Sequence, residues 1–358
     1  MIRAGDGPPR FEWRSVMLDV ARHFFGPRDV ERFVDLIARY RFNGLHLHLT
    51  DDQGWRIEIT SWPRLADVGG RTAVGGGAGG FYTQQEYVDL CGYAAERGVT
   101  VVPELDMPSH VNAALVAYPE LAPPGVTPEP YTGTDVGFST LDTESETVRR
   151  FTADVIREIA ALTPGPYLHF GGDEANVTPK EEYRRFVTRV CELVQAQGKT
   201  PIGWEEIATA PLPPGTIVQH WKDAGLAREA LRQRARLIMS PARRAYLDQK
   251  YDASTRLGTT WAGYVSVRDA YEWDPPALVD GATDEDVLGV EAALWSETLE
   301  TLTDVEEMAF PRLLAIAEVA WSGAGRDWDD LRTRIAAEGS ELDRLGVSFF
   351  RSPEIAWL

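Results

Sequence analysis

Val16-Met17-Leu18-Asp19-Val20 is a short apolar run, and Gly44-Leu45-His46-Leu47-His48-Leu49 is another. Between them, residues 28–40 place Val30, Phe33, Val34 and Ile37 at spacings of three and four, the mark of a helix with one buried face. Strand, helix, strand in this order reads as a crossover unit with parallel strands, because parallel neighbours need a long connection. The same alternation continues in both kinds of element. Residues 99–105, 167–170, 201–204, 216–220, 236–239 and 288–295 read as further strands, and residues 84–97, 145–162, 180–197, 224–234 and 305–320 as helices. Eight such strands favour an α/β fold of the closed (β/α)8 TIM-barrel kind over an open sheet. The 358 residues fit one such domain, expected over about residues 12–350.

The formal charge of −19 argues against a nucleic-acid backbone as partner, and no anionic membrane surface is expected either. No apolar stretch approaches the roughly 20 residues of a membrane span. Residues 1–9 show no apolar leader segment, so a cytoplasmic location is the expectation, with secretion the alternative if a leader was removed. The two cysteines, Cys91 and Cys191, lie in helical patterns at no metal-binding spacing and read as buried thiols. The glycine-rich residues 69–80 and the irregular residues 119–130 read as loops, either spacers or walls near a site mouth.

Chemically loaded residues cluster just after strand ends, where the site of such a barrel lies. His169-Phe170-Gly171-Gly172-Asp173-Glu174 ends a strand in two glycines that permit a sharp turn, then presents adjacent acids. Two carboxyl groups in different surroundings can take different protonation states, one a proton donor and one a charged partner; a solvated helix-capping loop is the alternative. His46 and His48, in His46-Leu47-His48-Leu49-Thr50-Asp51-Asp52, share a strand face and read either as metal ligands or as hydrogen-bonded core histidines. Asp51 and Asp52 follow and can face the site. In Pro103-Glu104-Leu105-Asp106-Met107-Pro108-Ser109-His110, acids at a strand end precede a histidine able to tune them, or simply a turn. Trp204, Trp221, Trp261 and Trp295 lie at or after strand ends, with Glu205, Asp223 and Glu297 close in sequence, which tilts a core reading toward a carbohydrate pocket. Arg22 closes the first strand, where its guanidinium can fork onto vicinal hydroxyls or pair with Asp19.

From Met17-Leu18-Asp19-Val20-Ala21-Arg22-His23 to Trp295-Ser296-Glu297 these motifs resemble the catalytic domain of glycoside hydrolase family 20, the β-N-acetylhexosaminidases. The resemblance implies an exo-acting hydrolase of terminal N-acetylglucosamine or N-acetylgalactosamine that needs no cofactor or metal and uses the substrate's own acetamido group as nucleophile. It implies Glu174 as general acid and base, with its carboxyl raised by burial and neighbouring acids. Asp173 and Tyr246 would hold the acetamido group. Trp204, Trp221 and Trp295 would enclose it, and Arg22 and Glu297 would bind ring hydroxyls. Asp248 and Trp261 would meet the 6-hydroxymethyl end, and Asp51 and His110 would form a relay to Glu174 with Asp106 nearby. A single catalytic barrel without the small α/β domain that many members carry ahead of it is the expectation. Two other readings stay open from the residues themselves: a metal-dependent hydrolase built on His46 and His48, and a sugar-binding barrel without turnover.

Overall fold

The computed structural model describes residues 7–323 and 325–358. Eight parallel strands close into a barrel in chain order: β1 (Trp13–Asp19), β2 (Gly44–His48), β3 (Thr100–Glu104), β4 (Tyr167–His169), β5 (Thr200–Trp204), β6 (Ile217–His220), β7 (Arg236–Met239) and β8 (Val287–Leu294). Leu18 of β1 pairs with Leu47 of β2 on one side and Leu294 of β8 on the other, which seals the sheet without an edge.

Alternation along each strand divides the barrel into two environments. Val16, Leu18, Leu45 and Leu47 point outward into one continuous core with the surrounding helices. The helix Pro27–Arg39 contributes Val30, Phe33, Val34 and Ile37 to it, the stripe its sequence spacing predicts. Inward-facing residues stack in layers. The lowest layer is apolar: Trp13, Val102, Ile202, Ile217, Ile238 and Leu288. Above it the interior becomes polar. The Glu291 carboxylate accepts from Gln219 Nε2 at 2.7 Å and Ser15 Oγ at 2.5 Å, and lies 2.8 Å from His46 Nδ1. The upper layer is aromatic, with Met17, Trp204, Trp221, Tyr246 and Trp295 packed together.

Two elements differ from the sequence expectation. The helix expected over 305–320 is two helices, Leu302–Ala309 and Arg312–Trp321, because Pro311 between them has no N–H to donate. The break gives Arg312 a structural task. Fully buried, it donates to the carbonyls of Leu247, Gln249, Val265 and Met308 at 2.6–3.3 Å, which anchors the segment after β7. A helix at Trp328–Arg344, capped by Asp327 and buried through Leu331, Ile335 and Leu342, was not expected at all. Among the described residues no helix is long and apolar enough to cross a membrane. Cys91 and Cys191 are buried free thiols, pushed up to about 11 and about 12 by burial.

Candidate active site

All eight strands deliver polar or aromatic residues at the C-terminal mouth. Arg22 follows β1, Asp51 β2, His110 β3, Asp173 and Glu174 β4, Glu206 β5, Trp221 and Lys222 β6, Tyr246 β7, and Trp295 and Glu297 β8. They converge on a cavity of about 430 Å³ walled by Arg22, His110, Asp173, Glu174, Trp221, Lys222, Tyr246, Trp261, Trp295 and Glu297, with Thr134 and Val136 at its rim.

The turn after β4 is built for its acids. Gly171 and Gly172 have φ of 68° and 95°, a region glycine enters without a Cβ penalty. A Cβ on Gly171 would stand 1.8 Å from Asp106 Oδ1. That same oxygen accepts from Gly172 N at 3.0 Å, while Tyr183 donates to the Gly172 carbonyl at 2.6 Å and Ser109 Oγ to the Asp173 carbonyl. Glu174 itself sits at φ 48° and His110 at φ 55°, strained positions that only surrounding structure maintains. Asp106 is therefore the support under the turn. It lies 1 % exposed and off the cavity wall, so among the expected site residues Asp106 is a support and not a substrate contact.

Asp51 anchors a chain of charges. Its Oδ2 lies 2.9 Å from Arg22 Nη2 and 2.8 Å from His48 Nε2, and its Oδ1 lies 3.2 Å from His110 Nδ1. The far ring nitrogen, His110 Nε2, reaches 3.5 Å from Glu174 Oε2 and 3.7 Å from Asp173 Oδ2. Burial would lower the His110 imidazole, but Asp51, then Asp173 and Asp106, outweigh it and hold the ring protonated. Asp52 does not join this chain. Its Oδ1 accepts from Asn112 N and Ser139 Oγ and pins two loops.

The two acids are pushed apart. Burial, reinforced by Glu174 and Glu104, raises Asp173. Burial would raise Glu174 as well, but the hydrogen bond and charge of His110, then Lys222 and Arg22, win and hold it below its ordinary range. The expectation of a raised Glu174 is thus overturned, because sequence alone could not place a protonated imidazole beside it. Asp173 Oδ1 is buried, with the Asp106 carboxyl beside the same side chain.

The aromatic residues separate into floor, walls and lip. Trp204 is 1 % exposed, donates Nε1 to Glu104 Oε1 at 2.8 Å and packs 5.8 Å from Trp295, so it backs the wall rather than lining it. Trp221 lies parallel to Tyr246 at 6.2 Å. Trp261, 58 % exposed, stands edge-on 5.9 Å from both. Arg22 stacks over Trp295 at 4.9 Å. Asp248 sits just behind the wall, its Oδ2 accepting from Gln249 Nε2 at 2.7 Å and its Oδ1 unpartnered; burial, then the charge of Glu297, pushes it up to about 8.

His46 and His48 are the hydrogen-bonded core histidines of the two alternatives. Each has both ring nitrogens within 2.9 Å of a carboxylate oxygen. His46 is held up to about 9, against the desolvation that would lower it, by Glu291 and Glu104. His46, Glu104 and His169, and likewise His48, Glu104 and Asp106, stand close enough together to share an ion, with the Glu104 carboxylate reaching all three rings.

Sequence reasoning missed Lys222, Glu206, Thr134 and Val136. Lys222 is an exposed lysine one residue past a tryptophan, and the Glu205-Glu206 pair directly after Trp204 was the available signal for Glu206. The loop at 69–80 does reach the mouth: Val74 N donates to the Arg22 carbonyl and Gly75 N to the Thr132 carbonyl. The wall comes from 134–136, just beyond the loop at 119–130 where it was sought.

Comparison with known proteins agrees with this geometry. The family model for the catalytic domain of glycosyl hydrolase family 20 matches residues 11–183 and 177–324. A β-N-acetylhexosaminidase of Cellulomonas fimi is 46% identical over 353 residues, 98% of this chain and 71% of its own length. A β-hexosaminidase of Porphyromonas gingivalis is 36% identical, with 95% of this chain and 47% of that protein covered. Among solved structures, the family 20 β-N-acetylhexosaminidase from Streptomyces coelicolor A3(2) superposes with TM-score 0.96 at 49% identity, over 98% of this chain and 72% of that one. A mutant Streptomyces plicatus β-hexosaminidase in complex with product GlcNAc superposes with TM-score 0.95 at 51% identity, with the same coverage.

Proposed function

The chain belongs to glycosyl hydrolase family 20, and from that premise we propose an exo-β-N-acetylhexosaminidase that removes terminal N-acetylglucosamine or N-acetylgalactosamine with retention, the substrate's acetamido oxygen acting as nucleophile. One observation carries the reading. Beside the acid Glu174, the cavity offers the Asp173 carboxyl and the Tyr246 hydroxyl within aromatic walls. That set suits an acetamido group: Asp173 accepts its N–H, Tyr246 donates to its carbonyl oxygen, and Trp221 and Trp295 enclose its methyl, with Trp204 behind them. Arg22 and Glu297 hold ring hydroxyls at the other end. Asp248 Oδ1 accepts one from the 6-hydroxymethyl side, beneath the lip formed by Trp261.

The reaction follows from this placement. The acetamido oxygen bonds to the anomeric carbon while the bond to the leaving oxygen breaks and Glu174 gives that oxygen its proton. Asp173 stabilises the positive charge that grows on the acetamido nitrogen. Glu174 then takes a proton from water as it attacks the anomeric carbon and the oxazolinium ring reopens. A nucleophile already tethered to the substrate loses little entropy on attack, which accounts for a site without an enzyme nucleophile of the usual retaining kind.

Burial raises Asp173 while the His110 cation holds Glu174 down. An acetamido N–H donated to Asp173 would stabilise the carboxylate there and oppose that difference. Asp51 and His110 position the Glu174 carboxyl, and Asp106 supports the turn.

The test is release of p-nitrophenol from the β-N-acetylglucosaminide and from the β-glucoside, with and without EDTA. Turnover of the acetamido sugar alone, at a rate unchanged by chelator, is the expected result. Equal rates on both sugars would point to an enzyme nucleophile, and loss with EDTA to metal chemistry.

A further inference from the structure

Glu205 and Glu206 follow Trp204 at the end of β5, on the short 3₁₀ turn Glu205–Thr209. Successive residues of such a turn point about 120° apart, so two adjacent acids reach two different targets. Both targets belong to one residue. Trp221 stands just past the neighbouring strand β6 and walls the cavity.

Glu205, fully buried, takes the backbone. Its Oε2 accepts from Trp221 N at 3.0 Å and lies 2.5 Å from His220 Nδ1, while its Oε1 accepts from Lys222 N at 3.0 Å and Asp223 N at 2.5 Å. Three successive N–H groups converging on one point make a concavity suited to an anion, and here the chain supplies its own. Glu206 takes the ring, its Oε2 accepting from Trp221 Nε1 at 3.1 Å. Ala242 N donates to the Trp221 carbonyl at 2.8 Å, so every polar atom of Trp221 is held. Tyr246 lies parallel to the indole at 6.2 Å, and Lys222 Nζ sits 3.7 Å over it. Fixing the backbone and the ring nitrogen together constrains both side-chain torsions. Burial, then the charges of Asp173 and Glu205, pushes the Glu206 carboxyl up to about 8, so at neutral pH it is mostly protonated and its carbonyl oxygen serves as the acceptor. Glutamine offers the same acceptor in the same shape.

We propose that Glu205 and Glu206 are positioning residues that set the Trp221 wall of the acetamido pocket, and through it the size of the N-acyl group the enzyme accepts. The proposal deepens the assigned reaction and rests on it, since the acyl methyl packs on Trp221 only in that reading. A wall rejects one extra methylene only as far as it is kept from moving aside, and small displacements of a positioned group carry large rate costs.

The experiment measures kcat/KM for p-nitrophenyl β-glucosaminides carrying N-acetyl or N-propionyl, in the wild type, Glu206→Leu and Glu206→Gln, with thermal unfolding alongside. Propionyl is longer by one methylene, so the wild type should favour acetyl by roughly tenfold or more. Glu206→Leu removes the acceptor from a side chain 20% exposed, at a position that tolerates the change in fold. Its acetyl-to-propionyl ratio should fall by roughly three- to tenfold, with KM for the acetyl substrate rising more than kcat falls. Glu206→Gln should restore most of the ratio. Glu205→Gln turns an amide N–H toward the donors of the β6 turn, and the enzyme that folds should show a lowered ratio too. A purely structural role would slow both substrates alike, so an unmoved ratio in Glu206→Leu would overturn the proposal. A wild-type ratio near one, or a glutamine variant that loses the ratio as fully as leucine, would overturn it as well. The β-glucoside separates the two failures: if the wild type cleaves it as fast as the acetyl substrate, the assigned reaction is wrong, and if it does not, only the role of the two acids is.

Discussion

His110 decides how Glu174 behaves, and neither side chain alone could. The protonated ring lies 3.5 Å from Glu174 and is kept charged by Asp51. His110→Asn removes that cation, so Glu174 keeps its proton to higher pH. The alkaline limb of kcat/KM should then move up, while kcat falls by about tenfold or more as Glu174 loses its orientation; a pH–rate profile reads both. Glu174→Gln should cost about 10²–10⁴ in kcat on substrates with poor leaving groups and much less on activated aryl glycosides, which need little protonation. Nearly all residues of this centre stood in the sequence at motif positions, because strand ends and glycine turns are local features. What sequence did not disclose was the sign of the Glu174 shift, which depends on a ring 64 residues distant that only folding places beside it.

At the level of elements, the two turns that present Asp173 and Tyr246 are secured in different ways. Gly171 leaves no room above Asp106, so Gly171→Ala forces both a disfavoured φ and an overlap with a buried carboxyl. It should destabilise by several kcal/mol, on the order of other overpacked and strained positions, and remove activity together with stability; thermal unfolding beside turnover checks this. The segment Tyr246-Leu247-Asp248-Gln249 instead hangs from the buried guanidinium of Arg312. Arg312→Leu strands several buried carbonyls and should cost about 3–5 kcal/mol. Enzyme that still folds should show a raised KM from loosened contacts at Tyr246 and Asp248. The strands were legible because each is a short apolar run bounded by turns. The helix break at Pro311 could have been read from proline chemistry, but the apolar period runs through it and hid it. The helix Trp328–Arg344 escaped because its apolar residues are sparse in a charged segment.

Over the whole molecule, the polar interior makes stability a matter of protons. Asp248 and Glu206, held up to about 8, keep protons in the folded state that the unfolded chain releases near pH 4. His46, held up to about 9, keeps one that the unfolded chain releases near 6.5. In every case the folded state binds more protons across the window, so stability declines as pH rises from about 4 to 9. Below that window Glu291 and Asp51, held low by His46 and Arg22, lose their stabilisation as they protonate. Melting temperature should therefore peak in mildly acidic buffer and lie a few degrees lower near pH 9; a flat or rising profile would contradict these assignments. The closed barrel was foreseeable from eight alternations, but the charged layer inside it was foreseeable only as an ambiguity over His46 and His48. The central claim, that the substrate supplies the nucleophile, is tested most directly by p-nitrophenyl β-glucosaminides whose N-acyl group is acetyl, fluoroacetyl, difluoroacetyl or trifluoroacetyl. Each fluorine weakens the carbonyl oxygen as a nucleophile at small cost in size. A steep, progressive fall of kcat/KM along the series is the predicted result, and a flat series would contradict the account.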